Sequence, residues 1–280
     1  MSTVIAQRTI VRAVRVSGIG LHTGAPTSVR LLPAPPDQGV VFSRVDVPDA
    51  PPIPARLAEV VATERGVVLG RRARVATVEH LLSSARGLGI DNLTVEVDGE
   101  ELPCGDGSGL IFVDALQQAG GVEQGTPRRP IVLDAPIWAS GGRSLVVAVP
   151  APRLQITYLA TADGTPIPAQ VAEFNAETDD FATTIAPART WGFAEDAERL
   201  RARGLARGAS LATALVIGPD GYLNEPRFVN ELARHKILDA IGDLALLGRP
   251  LLAHLVAIRA GHSLHVTLAR EIARAAGVEG

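Results

Sequence analysis

The chain has 280 residues, 46% of them hydrophobic and 20% charged, which is enough for one large core or two smaller ones and excludes wholesale disorder. A formal net charge of −3 gives no footprint for broad nucleic-acid binding. The single cysteine, Cys104, permits neither an intramolecular disulfide nor a cysteine-based structural zinc site, and it fits a reducing compartment.

The opening stretch, MSTVIAQRTIVRAVRV, is broken by Gln7, Arg8, Arg12 and Arg15, so it reads neither as a signal peptide nor as a membrane span. No other stretch approaches the roughly 18 uninterrupted apolar residues that a span needs. A cytoplasmic protein is expected. RTIVRAVRV, TSVRLLPA and GVVFSRVDV read as strands, and PDAPPIPARL, too rich in proline for a central strand, as a loop. TVEHLLSSARG predicts a short helix with Thr77 as its N-cap and Gly87 as its stop. DNLTVEVDG alternates, with Leu93, Val95 and Val97 on one face, and a second helix is expected from about Leu110 to Ala119. GGVEQGTPRRP, Gly120 to Pro130, has the composition of a linker.

The second half repeats the order. PIVLDAPIW, SLVVAVP and RLQITYLA read as strands, Glu195 to Arg203 as a helix closed by Gly204, and LATALVI as a strand. A longer helix is expected from about Pro226 to Leu247, capped near Asn224 or Glu225. The strand LLAHLVAIRA and a helix from about Leu264 to Ala276 close the chain. Strands, helix, strand, helix occurs twice, which predicts an α+β fold of two related units, each packing helices on one face of a sheet. The units are expected at residues 1–124 and 125–280.

The chemistry sits inside the predicted helices. In HKILDAIGD, His235, Asp239 and Asp243 are spaced by four and share one helix stripe, while Ile237, Leu238, Ala240 and Ile241 fall on other faces. Gly242 lets another backbone or a ligand come close. Taken alone, the pair His235 and Asp239 is more simply read as a hydrogen-bonded surface stripe, because helical i,i+4 polar pairs are common. In TVEH, Glu79 and His80 stand in a first helical turn, where the dipole disfavours an imidazolium. Glu79 there could flank a metal held by His80, or simply complement the dipole beside a core histidine. Together the two segments offer two histidines, an aspartate and a spare glutamate, the N/O set of a catalytic zinc site with one position left open. AGHSLH adds His262, either an acid or oxyanion partner or a plain loop histidine.

Six segments in order complete the picture: GIGLHTG (18–24), TVEHLLSSARGLGIDN (77–92), GDGSG (105–109), ARTWGF (188–193), RHKILDAIGDL (234–244) and AGHSL (260–264). With them the chain resembles the UDP-3-O-acyl-N-acetylglucosamine deacetylase family, zinc amidases of lipid A biosynthesis, over nearly its whole length. The resemblance implies two related domains, each a sheet with a pair of helices, the helices facing each other and the active site at the interface. It implies zinc held by His80, His235 and Asp239, with Glu79 as the base that activates water. It implies His262 as a second acid/base, Asp243 as the carboxylate orienting it, and Thr190 as a group polarising the intermediate. Lys236 would meet substrate oxygens, Trp191 and Phe193 would serve the acyl chain or ordinary core packing, and Arg259 stands where the family has a lysine. Leu205, Leu211 and Leu215 serve the acyl chain or ordinary core packing. The implied partner is a small acylated sugar nucleotide, with no nucleic acid, and a monomer is the default.

The chain departs from the family pattern after its L-x-I-x-Y strand. LQITYLATADGTPIP lacks the Phe and the His-Pro that the family places against uridine, and VVATERGVVLGRRARVA is unusually charged. Two alternatives therefore stand beside the lead: a divergent zinc amidase on another N-acylated sugar, and a non-catalytic nucleotide-sugar or lipid-binding relative. Glu79 and His262 argue against the last, because a structural metal needs neither.

Overall fold

The computed structural model describes residues 5–278. Residues 1–4, which head the opening stretch, lie outside them. The first half runs β1 (Ala6–Ile10), β2 (Val14–Ile19), β3 (Pro26–Pro33), β4 (Val40–Arg44) and β5 (Ile53–Pro54). Three short strands follow, β6 (Val60–Ala62), β7 (Val68–Leu69) and β8 (Val75–Ala76), then α1 (Glu79–Gly87), β9 (Leu93–Asp98), α2 (Leu110–Ala119) and β10 (Gly121–Pro127). The second half runs β11 (Ile131–Val132), β12 (Ile137–Gly141), β13 (Ser144–Pro150), β14 (Gln155–Ala160), β15 (Gln170–Asn175) and α3 (Phe181–Thr184). After these come β16 (Trp191–Phe193), α4 (Ala197–Ala202), β17 (Leu215–Gly218), β18 (Gly221–Tyr222), α5 (Glu231–Ala245), β19 (Leu251–Ile258) and α6 (His262–Ala276).

The halves share one topology. The first large sheet has the order β2-β3-β9-β4-β5, with successive pairings antiparallel, antiparallel, parallel and antiparallel. The second has β12-β13-β19-β14-β15 with the same succession of orientations, and β11 pairs in parallel with the first two residues of β19. Each half inserts a three-stranded sheet, β6-β7-β8 or β16-β17-β18, before its first long helix, and each places a second helix after its last central strand. This is the expected pair of α+β units.

Alternating burial along β9, β14 and β19 shows one face of each sheet turned inward. That face is covered by the helices, and α1 of the first half packs on α5 of the second. Ile237, Leu238, Ala240 and Ile241 of α5 are all buried, as their spacing predicts. No helix among the described residues is long and apolar enough to cross a membrane.

Several boundaries differ from expectation. RTIVRAVRV is two strands, broken where Val11 and Arg12 bond back to the end of α2. The expected linker is largely strand β10, paired antiparallel with β1, so its backbone is satisfied by the sheet rather than by solvent. The proline-rich loop carries the two-residue strand β5, at a sheet edge where proline costs no ladder bond. Strand β15 went unforeseen because its buried face, Gln170, Ala172 and Phe174, includes a polar residue while its exposed face includes Val171, which blurs the alternation at this sheet edge. Helix α5 begins at Glu231, not near Pro226, and Asn224 is no cap: its side chain bonds Leu211, Ala214 and Val216. Helix α6 begins at His262, two residues early. Thr77 is not the N-cap of α1 either. Its φ is +58°, Val78 holds the cap position, and its hydroxyl donates to Glu101 at 3.0 Å.

Candidate metal and acid–base site

Helices α1, α5 and α6 bring the predicted ionisable residues to one place. Glu79 and His80 open α1, and His235, Asp239 and Asp243 lie along α5, all of them buried. A surface stripe is therefore ruled out. Gly242 makes the approach possible. A Cβ built on it would lie 2.2 Å from the Glu79 carbonyl oxygen, so only glycine lets the start of α1 rest on α5.

Ligand atoms of His80, His235 and Asp239 all lie within 4.8 Å of one another. Asp239 Oδ1 stands 3.4 Å from His235 Nε2 and 3.8 Å from His80 Nε2. It is buried and has no hydrogen-bond partner, an arrangement that leaves a carboxylate oxygen aimed at two imidazole nitrogens. His235 Nδ1 faces the Ala188 carbonyl at 3.1 Å, which puts the ring proton there and frees Nε2 as a ligand. Burial, with His235 alongside, brings His80 down to about 3, and burial also lowers His235, so both rings are neutral as a metal requires. Burial opposes ionisation of Asp239, but His235, Lys236 and His262 outweigh it and hold the carboxyl far below its ordinary range. Two nitrogens and one carboxylate oxygen, one of them orphaned, fit a divalent metal with an open position.

Asp243, His262 and His265 form a second trio of similar compactness. Here both imidazole Nδ1 atoms already face the carboxylate. His262 Nδ1 lies 2.9 Å from Asp243 Oδ2, and His265 Nδ1 lies 2.8 Å from the same oxygen. This trio is a hydrogen-bonded set that orients His262. Its Nε2 then stands 3.9 Å from Glu79 Oε1 and 3.8 Å from Asp239 Oδ2. Burial works against an imidazolium at His262, but Asp243 and Asp239 overcome it and push the ring up to about 10. Burial pushes the Glu79 carboxyl up to about 7. Its Oε2 accepts the Val67 N–H at 3.0 Å, which fixes the carboxylate while leaving Oε1 toward His262. A carboxylate near 7 and an imidazolium held well above it are a base and an acid available together between those values.

The remaining predicted residues lie around this centre. Lys236 Nζ is 2.8 Å from Asp239 Oδ2 and 5.8 Å from the centre of the Trp191 ring. Trp191 and Phe193 meet edge to face on β16, both half-buried. Thr190 is held by its backbone N–H on the Gly107 carbonyl, at 2.7 Å, which ties ARTWGF to GDGSG. Leu215 is core, and Leu211 is exposed. Arg259 is committed elsewhere, in a two-pronged pair with Asp163. That aspartate belongs to the loop that departs from the family pattern.

Three features were missed. His265 shares Asp243 with His262 and stands one helical turn along α6, a spacing visible in HSLH. The buried Glu231 clasps Arg189 through its backbone N–H and its guanidinium, pinning the segment whose Ala188 carbonyl orients His235. Buried Glu101 accepts from His22, Thr23 and Thr77 and so anchors GIGLHTG to the entry of α1. Both are long-range carboxylate clasps that leave no local signature.

Comparison with known proteins agrees with the geometry. A family model described as UDP-3-O-acyl N-acetylglycosamine deacetylase matches residues 7–274. A protein of Thermosynechococcus vestitus named UDP-3-O-acyl-N-acetylglucosamine deacetylase is 43% identical over 270 residues, 96% of this chain and 94% of the relative. Relatives of the same name from Myxococcus xanthus and Bdellovibrio bacteriovorus are 41% and 39% identical, each over 95% of this chain and over 86% and 89% of their own length. Matched along almost its entire length, the chain belongs to the UDP-3-O-acyl N-acetylglycosamine deacetylase family.

Proposed function

We propose that this enzyme hydrolyses the N-acetyl group of UDP-3-O-acyl-N-acetylglucosamine, releasing acetate and the free amine, in lipid A biosynthesis. The observation that carries the reading is the partnerless Asp239 Oδ1 facing two neutral imidazoles, with Glu79 and His262 beside it. We assign zinc to His80, His235 and Asp239. Held there, zinc supplies Lewis-acid polarisation of an amide carbonyl and activation of water at neutral pH.

The side chains divide the proton traffic. Glu79 Oε1 takes the proton of the attacking water, a task suited to a carboxylate raised to about 7. The tetrahedral carbon then expels the sugar nitrogen, and His262 Nε2 donates the proton that makes it a good leaving group. Asp243 keeps His262 charged and aligned by accepting its Nδ1–H. Thr190 polarises the intermediate, and Lys236, beside the metal ligands, meets substrate oxygens. Trp191 and Phe193 line the passage for the acyl chain, and Arg259 would meet the anionic end by giving up its pair with Asp163. The units 1–124 and 125–280 each supply part of the site, with β10 carrying the chain between them. A cytoplasmic location is part of this proposal. Zinc-loaded protein incubated with this substrate is expected to release one amine per acetate. No release above that of a Glu79→Gln control refutes the proposal.

A further inference from the structure

We propose that His265 is a positioning residue for the reaction: its Nδ1–H clamps Asp243 so that the carboxylate aligns His262. The proposal deepens the role given above to His262 and rests on it.

The geometry is specific. Asp243 is fully buried, and its Oδ2 accepts from both imidazoles, at 2.9 Å from His262 and 2.8 Å from His265. Its Oδ1 lies 3.1 Å from His262 Nδ1, so the carboxylate presents both oxygens to that ring. Rotation about its last torsion would break this two-oxygen contact. The His265 N–H, arriving from another position on Oδ2, opposes that rotation. Residues 262 and 265 are three apart on α6, so their rings share a face and reach one acceptor from two directions.

The far side of His265 fixes its tautomer. Nε2 is buried without a hydrogen-bond partner, and the ring stands edge to face with Tyr158, centroids 6.0 Å apart. Tyr158 spends its own hydroxyl proton on the Ala260 carbonyl. A proton on Nε2 would be a buried donor with nothing to receive it. His265 therefore carries its donor proton on Nδ1, with Nε2 buried and unpartnered. It gives Asp243 one permanent donor and takes no part in the proton traffic. Partners that orient a working imidazole through a carboxylate typically change activity by about 10- to 100-fold when removed.

Two substitutions separate this role from packing. His265→Leu removes the donor. His265→Asn keeps one, because an asparagine Nδ2 stands at the same point along the side chain as a histidine Nδ1. The leucine variant is expected to lose roughly 10- to 100-fold in kcat, with KM within about twofold and zinc content unchanged. The asparagine variant is expected to recover to within about threefold of the wild type. Histidine 15N spectra of the zinc-loaded wild type, which need no variant to fold, should show His265 carrying its proton on Nδ1. Wild-type turnover in His265→Leu, an asparagine variant no better than the leucine one, or a proton on Nε2 would each overturn the proposal. His262→Ala is run in parallel. Full turnover there would remove the role of His262 itself, and so fail separately from that of His265.

Discussion

Gly242→Ala is a small perturbation with a large expected effect. In the interior of an ordinary helix, alanine for glycine stabilises by roughly 1 kcal/mol. Here the new methyl would meet the Glu79 carbonyl oxygen at 2.2 Å and its carbonyl carbon at 2.8 Å. Ordinary contact begins at about 3.4 Å, so the start of α1 must withdraw by about 1.2 Å. Overpacking of this kind costs about 1–3 kcal/mol, which cancels the helical gain or reverses it by up to about 2 kcal/mol. The larger consequence falls on the site, because the residues displaced are Glu79 and His80. A shift of about 1 Å in a catalytic group costs on the order of a hundredfold in rate. His80 would also leave the pair formed by His235 and Asp239, and metal affinity should fall with it. Urea unfolding, zinc content after dialysis and kcat at saturating substrate measure the three effects on one preparation. A variant stabilised by about 1 kcal/mol, with full zinc and normal kcat, would refute the packing argument.

Other expectations follow from the same geometry. His235→Ala should lose zinc on dialysis against a weak chelator that leaves the wild type loaded, since two ligands would remain of three. Glu79→Gln should keep zinc and lose about 10²- to 10⁴-fold in kcat, measured by amine release. The pH profile of kcat/KM should be bell-shaped. Glu79 must be ionised, so activity falls as pH drops below about 7. His262 must be protonated, so activity falls as pH rises past about 10, and this limb should vanish in His262→Ala. At the nucleotide end, the loop after β14 lacks the family's aromatic ring, and its Asp163 occupies Arg259. Base stacking is worth roughly 1–3 kcal/mol, so UDP should inhibit less than about a hundredfold more tightly than pyrophosphate.

What the sequence disclosed and what it hid divide along one physical line. His235, Asp239 and Asp243 declare themselves because helical periodicity is local, and three polar residues at i, i+4 and i+8 among apolar ones have few uses. Gly242 could be read as a close approach for the same reason. What approaches it could not, because the crossing of α1 on α5 depends on contacts more than 150 residues apart. Thr77 misled because a threonine before a helix is usually a cap. Its hydroxyl is instead bound by Glu101, and the residue takes a left-handed conformation that β-branched side chains resist. Strand β10 looked like a linker because glycine and proline mark turns locally, while its partner β1 lies at the other end of the half. The family resemblance supplied roles for residues whose neighbours no local pattern could name.

The twice-used topology has a consequence for how the molecule comes apart. Neither half owns a complete metal site: α1 of the first contributes one imidazole, and α5 of the second contributes the other and the carboxylate. Two similar units joined by one strand could melt in separate steps if only the packing of α1 on α5 held them together. A metal shared between them forbids this, since opening either unit discards the whole ligation energy. A metal held there would act as a rivet through the seam. The loaded protein should unfold in a single transition, and chelation should divide that transition into two.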